Sequence, residues 1–253
     1  MTSGDLLLRP LRGIPHIAAG DDLADIALAG LQESNERLRE GDVLVFAQKI
    51  VSKAEGRTVD LASIVPSTRA LKLANETDKD ARLVELILRE SSEVLRYCPG
   101  LLIVVHRLGF ILANAGIDRS NVGGGDSVLL LPIDSDASAA RIRGNLRTKT
   151  SLDVAVMIID SIGRPWRMGT VGTAIGVSGI PALLDLRGRP DLHGRPLENT
   201  EIGLADELAS AASLAMGQAD EGTPVVLARG VAYARRDGSM RELLRPKDKD
   251  LFR

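Results

Sequence analysis

The chain has 253 residues, 44% of them hydrophobic and 26% charged, a globular composition long enough to bury a sizeable core and unlike that of a disordered segment. Its formal net charge is −2, so no bulk attraction draws it to nucleic acid or to an anionic membrane surface, and any anion must be met locally. Aromatic residues make up 2%, too few for the stacking platforms of single-stranded nucleic acid, and the one cysteine, Cys98, excludes an intrachain disulfide and a cysteine-based metal site.

Cys98 is expected as a buried thiol in a reducing cytoplasm. No apolar run approaches the roughly 20 residues of a membrane helix. The opening MTSGDLLLRP carries an acid where a signal peptide has basic residues. A cytoplasmic protein with no nucleic-acid or membrane partner is expected.

In chain order, Leu6 to Ile17 reads as a short strand broken at Pro10 and followed by a Gly13-Ile14-Pro15 turn. Asp21 and Asp22 open a helical pattern with Leu23, Ile26, Ala27 and Leu31 on one face. After the Gly41-Asp42 turn, Val43 to Ala47 is a buried strand whose exit carries Gln48, Lys49, Ser52 and Lys53. Pro66-Ser67 begins a helix to about Ala74, and Ala81 to Leu88 has helical apolar spacing. Both helices read as structural. Leu101 to Val105 and Phe110 to Ala113 form a predicted hairpin, and its exit runs through Asp118 and Asn121 to Gly123-Gly124-Gly125. Val128 to Leu131 is a strand, Asp134 to Asp136 a cap, and Ala137 to Leu146 a helix.

Val154 to Ile159 is rich in β-branched residues and too short for a free-standing helix, so it reads as a strand buried on both faces. The run stops at Asp160. Ser161 follows, then Gly163, Arg164, Pro165, Trp166 and Arg167. A rigid strand there delivers oxygen ligands to a sheet edge, and two arginines supply planar donors for phosphate or carboxylate. The same residues fit a solvated strand end followed by a basic turn equally well.

Gly169, Gly172, Gly176 and Gly179 are spaced for close backbone packing, and the strand-Gly-x-Gly-x-x-Gly-helix register of dinucleotide sites is missing. Thr200 is expected to cap a helix to about Met216, with Leu204, Leu208, Ala212 and Ala215 as its apolar stripe and Gly217 as its end. Gln218, Asp220 and Glu221 occupy the loop before a strand from Pro224 to Ala228, and the charged tail RPKDKDLFR is expected to fray. No linker composition divides residues 1–253, so one folding unit is expected.

Asp118, Asp160, Ser161 and Gln218 come from separate segments and all donate oxygen, the ligand set that magnesium or manganese takes and bridges to nucleotide phosphates. Two divalent ions offset about four negative charges, close to those of a nucleoside triphosphate, which suits a chain with no basic excess. No Gly-Lys-Ser/Thr of a Walker motif and no kinase signature occurs. His16, His106 and His193 lack metal spacing, His106 reads as a core or edge histidine, and no motif betrays a serine or cysteine nucleophile.

The segments GDVLVFAQKIVSKAEGR (41–57), NAGIDRSNV (114–122), LLLPIDSD (129–136), IIDSIGRPWRMGTVGTAIGVSG (158–179), LHGRPLENT (192–200) and ADELASAASLAMGQADEGTPVVLARG (205–230) together resemble the CofE-type coenzyme F420-0:gamma-glutamyl ligases. The resemblance covers essentially the whole chain in order. It implies an α+β fold of CofE-like mixed sheets with flanking helices, two intimate lobes in one folding unit, without a fused C-terminal flavin domain. It implies GTP-dependent attachment of L-glutamate to a coenzyme F420 precursor, with two divalent cations, magnesium or manganese, a monovalent potassium ion, and a homodimer. By analogy Asp118 and Asp160 hold one divalent ion, and Ser161 and Gln218 help to hold the second. The nucleotide contacts fall on Gly13, Ile14 and Pro15, on Gln48 and Lys53, on Asn121, and on the loop Met216, Gly217, Gln218, Ala219, Asp220, Glu221, Gly222 and Thr223. Ser161 stands where many relatives have Thr, and Gln218 where some have Glu, which keeps an oxygen donor and loses a charge.

The implied chemistry has the precursor carboxylate attack the γ-phosphate of GTP, and the amine of glutamate attack the resulting acyl phosphate. Asp160 is then catalytic. Arg164 and Arg167 are candidate clamps for phosphate or glutamate, with structural pairing to surface acids as the alternative. Trp166 either walls the deazaflavin or fills core. A metal-dependent nucleotide phosphohydrolase and a non-catalytic GTP-binding sensor are the rival readings of the same residues.

Overall fold

The structure is a computed structural model that describes residues 5–119 and 126–251. It opens with β1 (Leu7–Pro10), α1 (Leu23–Glu33), β2 (Val43–Ala47), α2 (Gln48–Ala54) and β3 (Thr58–Asp60). Next come α3 (Thr68–Thr77), α4 (Ala81–Arg89), β4 (Ser91–Cys98), β5 (Leu101–His106), β6 (Ile111–Ala113) and β7 (Ser127–Leu129). The chain closes with α5 (Ser135–Thr150), β8 (Ala155–Gly163), β9 (Thr170–Ser178), β10 (Leu184–Asp185), β11 (Glu201–Ile202), α6 (Leu204–Met216) and β12 (Val225–Arg229). Several sheets and helices mix along the chain, an α+β fold.

The largest sheet has the order β1-β12-β2-β8-β9, with β2 and β8 parallel and the other neighbours antiparallel. Alternation along its central strands feeds two cores. Leu44, Phe46, Val156 and Ile158 face α1 and α5, while Val43, Val45, Ala155 and Met157 face α6. The expected strands at 43–47 and 154–159 are therefore buried on both faces. Helix starts follow the expected acids and hydroxyls, with Asp22, Ser67 and Asp134 accepting from the backbone N–H groups of Ala24, Ala70 and Ala137.

β9 lies at the sheet edge and is covered closely on both faces. A Cβ at Gly172 would overlap the Ala209 carbonyl oxygen and the Ser213 side chain of α6, and one at Gly176 would overlap the Ser135 backbone of α5. A bulge in the pairing between Ile158 and Ile159 changes the face that the strand presents between these two glycines. Carboxylates occupy two N–H groups of β9: Ala174 donates to Asp206 Oδ1 at 3.0 Å and Val177 to Asp136 Oδ1 at 2.8 Å. The glycine spacing is thus structural.

A third core lies among α3, α4, the β4-β5-β6 sheet and the β3–β7 pair and contains Leu61, Leu73, Val84, Ile87, Leu102, Val104 and Val128. Arg57 donates to Glu90 Oε2, at the end of α4, and to the carbonyl of Leu131, a residue of the core beneath α1 and α5, each at 2.9 Å. His106 is the expected core histidine: Nδ1 accepts from the Leu108 N–H at 3.0 Å, and burial pushes its pKa down to about 4. No helix among the described residues is long and apolar enough to cross a membrane.

Two expectations need correction. Cys98 is exposed, because it ends the edge strand β4 beside the turn at Gly100. Thr200 does not cap α6; Glu201 and Ile202 pair with β10 instead, and Gly203 is the cap. The buried side of α6 is accordingly Ala205, Leu208, Ala209, Ala212, Ser213 and Met216. β10 and β11 found an exposed arm, braced by backbone bonds from Leu186 to Thr200 and from Gly188 to Leu197, with Leu192 fully exposed near its tip.

The two-sided packing of β9 sets a prediction. Gly176→Ala is expected to cost about 2–3 kcal/mol by overpacking, whereas Gly144→Ala, in open space on α5, gains about 0.5–1 kcal/mol from helix propensity. Urea unfolding of the two variants checks both signs.

Candidate active site

β2 and β8 are parallel, so both deliver their carboxyl ends to one edge of the sheet, where α/β proteins place ligands. β12 starts and β1 stops at that edge, with the Ala47 N–H on the Pro224 carbonyl at 2.9 Å and the Leu11 N–H on the Val225 carbonyl at 2.8 Å. Residues 11–15, 47–53, 159–161 and 217–224 therefore converge, although far apart in sequence.

Asp160 does not end its strand as expected. Pairing to β2 stops at Ile159, but β8 runs on to Gly163 as a ribbon with β9, with Asp160 opposite Thr173 and Ser161 opposite Gly172. The half-buried Asp160 carboxylate accepts from the Ser161 N–H at 2.8 Å. Asp118 is fixed by paired backbone bonds to Leu129, and its carboxylate meets Lys49 Nζ at 2.8 Å. Burial pushes the Asp160 pKa up to about 6; the negative charge of Asp118 adds to the rise, while the Ser161 N–H and Lys49 oppose it.

Gln218 follows the α6 end at Gly217, whose φ of 81° turns the chain back over the sheet. Ser161 Oγ donates to Gln218 Oε1 at 2.6 Å, and Gln218 Nε2 donates to Ser213 Oγ at 2.6 Å. The loop braces itself: Glu221 accepts from the Ala219 N–H, and Thr223 Oγ1 donates to the Met216 carbonyl. Asp220 and Gly222 are exposed on it.

Gln48 is buried at the start of α2 and accepts from Ser52 Oγ at 2.9 Å; its Nε2 has no hydrogen-bond partner among the described residues. Lys49 and Lys53 lie one turn apart on α2 and share a face. Gly13 packs against Glu33, Ile14 packs on the core and Pro15 is exposed, all on the segment leaving β1. Arg164 and Arg167 follow the end of β8, which runs about 10 Å of strand beyond Asp160. Arg164 donates to the Gly169 carbonyl at 3.3 Å across the ribbon turn, and Arg167 is exposed. Trp166 is 81% exposed with φ of 57°, so it does not fill core. Asn121 lies outside the described residues.

Sequence reading missed Lys49 and Ser213. The spacing of Lys49 to Lys53 at a strand exit was the available signal for the first; nothing local marked Ser213 among the small residues of α6. Among the described residues no group of three or more His, Cys, Asp or Glu side chains is arranged to hold a metal ion by itself. A cation here has two carboxylates and neutral oxygens, a set that suits a hard ion completed by substrate phosphates. Surface cavities of about 190 Å³ beside Arg9 and Glu33 and about 410 Å³ beside Arg143 and Val177 lie elsewhere and lack this chemistry.

Comparison with known proteins bears on the same segments. The sequence model of the family F420-0:Gamma-glutamyl ligase matches residues 13–230. The coenzyme F420:L-glutamate ligase of Methanothermobacter thermautotrophicus is 48% identical over 245 residues, covering 96% of this chain and 97% of that protein. The protein of that name from Methanopyrus kandleri is 48% identical over 252 residues, covering 98% of each, and that from Archaeoglobus fulgidus 44% over 244 residues, covering 96% and 95%.

An aspartate with a native pKa near 6 against the ordinary 3.8 binds its proton more readily folded than unfolded. Its stabilising effect is complete below about pH 4 and is lost as pH rises through 6. Asp160→Asn is therefore expected to raise stability at pH 7.5 by about 1–2 kcal/mol, with the gain vanishing near pH 4. Urea unfolding of the metal-free protein at both pH values measures it.

Proposed function

The chain belongs to the F420-0:gamma-glutamyl ligase family, and from that premise we propose that it joins L-glutamate to a coenzyme F420 precursor in a GTP- and divalent-metal-dependent reaction. The observation that carries the reading is the oxygen cluster of Asp118, Asp160, Ser161 and Gln218, at the carboxyl ends of the parallel strands and within the matched segment. Asp118 and Asp160 would hold one magnesium or manganese ion, and Ser161 and Gln218 contribute to a second. Such ions, when bound, neutralise charge on the transferring phosphoryl group.

The chain's own residues bind and orient. The loop from Met216 to Thr223 and the turn at Gly13, Ile14 and Pro15 would surround the nucleotide, with Asn121, outside the described residues, a contact by family resemblance alone. Gln48 offers it a buried amide donor that has no partner among the described residues, and Lys53 a cation on the helix face that Lys49 shares. Lys49 holds Asp118 in place until substrate and ions arrive. The precursor carboxylate displaces GDP from the γ-phosphate, and the glutamate amine then attacks the carbonyl carbon of the resulting acyl phosphate, expelling inorganic phosphate and losing a proton as the amide forms. Arg164 and Arg167, on the ribbon tip, are the candidate clamps for the acidic substrates. The working unit is a homodimer, whose contacts use the exposed apolar tips Trp166, Met168 and Leu192.

Mass spectrometry of the precursor after incubation with protein, GTP, L-glutamate and manganese tests the reading. A gain of one or more glutamyl masses that needs every component is expected, and Asp160→Asn should slow it about a thousandfold or more with an unchanged circular dichroism spectrum. GTP hydrolysis without glutamylation would point to a phosphohydrolase, and GTP binding without turnover to a sensor.

A further inference from the structure

An amide, unlike a carboxylate, has two different ends, and only its oxygen can face a cation or accept from a hydroxyl. Position 218 carries such an amide, so something must decide which end points to Ser161. In the structure the other end of the amide meets Ser213. Its Oγ accepts from Gln218 Nε2 at 2.6 Å, which leaves Oε1 turned to the Ser161 hydroxyl, also at 2.6 Å. Ser213 is itself rigidly held, 6% exposed on the buried side of α6.

Its approach depends on Gly172. That residue pairs with Ser161 across the ribbon, and any side chain there would overlap Ser213. Ser210, one turn earlier on α6, donates to the Gly172 carbonyl at 2.9 Å and fastens helix to ribbon. Gly172, Ser213, Gln218 and Ser161 thus form one packed chain from the helix to the oxygen cluster.

We propose that Ser213 is a positioning residue that fixes the orientation of the Gln218 amide, and through it the Ser161 hydroxyl, for the second divalent ion. The consequence for that ion rests on the metal-dependent reading above; the orientation itself does not. An outer partner of this kind typically contributes 10- to 100-fold in metal affinity.

The test has two arms on the full chain. In the ¹⁵N-labelled metal-free protein, the Gln218 side-chain amide is expected to give a slowly exchanging proton that S213A abolishes and S161A retains. An amide signal unmoved by S213A overturns the proposal whatever the fate of the metals. In manganese titrations with a non-hydrolysable GTP analogue, followed by electron paramagnetic resonance, the wild type is expected to take up two ions. S213A should weaken the second about tenfold and leave the first unchanged. In a Q218E background, where both oxygens are equivalent, S213A should change the second ion by less than about threefold, against tenfold with Gln218. Equal losses in both backgrounds would make Ser213 merely structural and overturn the proposal. If the wild type takes up no second ion, the metal reading fails instead, and the amide signal alone decides Ser213.

Discussion

The parallel register of β2 against β8 is the constraint on which the rest depends. Both strands are buried on both faces, so a slip of one residue would drive Val45 and Met157 into the layer of α1 and α5 and Phe46 and Ile158 into that of α6. Packing forbids it. With Ala47 fixed beside Ile159, Gln48 and Lys49 are carried to the level of Asp160, and the strand β12 brings the 217–224 loop to the same edge. The positions of the polar residues are thus consequences of apolar packing beneath them.

Electrostatics completes what the register begins. Asp118 and Asp160 are close enough for one to raise the pKa of the other, an arrangement that costs stability unless positive charge is near. Lys49 supplies part of it in the protein by itself. The site therefore has an internal cation that divalent ions can supplement or replace, which suits a chain whose overall charge is close to balanced.

Much of this could be read from the sequence, for identifiable reasons. The short apolar run at 43–47 and the β-branched run at 154–159 read as buried strands, and Asp22, Ser67 and Asp134 mark helix starts through bonds that caps of that kind make. The failures are equally physical. Asp160 looked like a strand end because hydrophobicity stops where burial stops, while backbone pairing to β9 continues in solvent. β4 was invisible because its outward residues are polar and its register shifts twice. Thr200 resembled a cap, but the next two residues were claimed by a strand partner sixteen or more positions earlier. In the site, Asp118, Asp160, Ser161 and Gln218 were found as oxygen donors; Lys49 stood at a strand exit, but its pairing with the distant Asp118 had no local sign, and nothing local singled out Ser213 among the small residues of α6.

The carboxylates on the outer strand carry a further consequence. A sheet ends safely only if its last strand cannot recruit another, and unpaired N–H groups in a row invite recruitment. Asp206 and Asp136 occupy the Ala174 and Val177 donors from the two covering helices, one from each face. A foreign strand would have to expel two hydrogen-bonded acids to add itself there. The same packing that seats α5 and α6 on β9 thereby guards the sheet against growing by aggregation, and confines any orderly self-association to other parts of the surface.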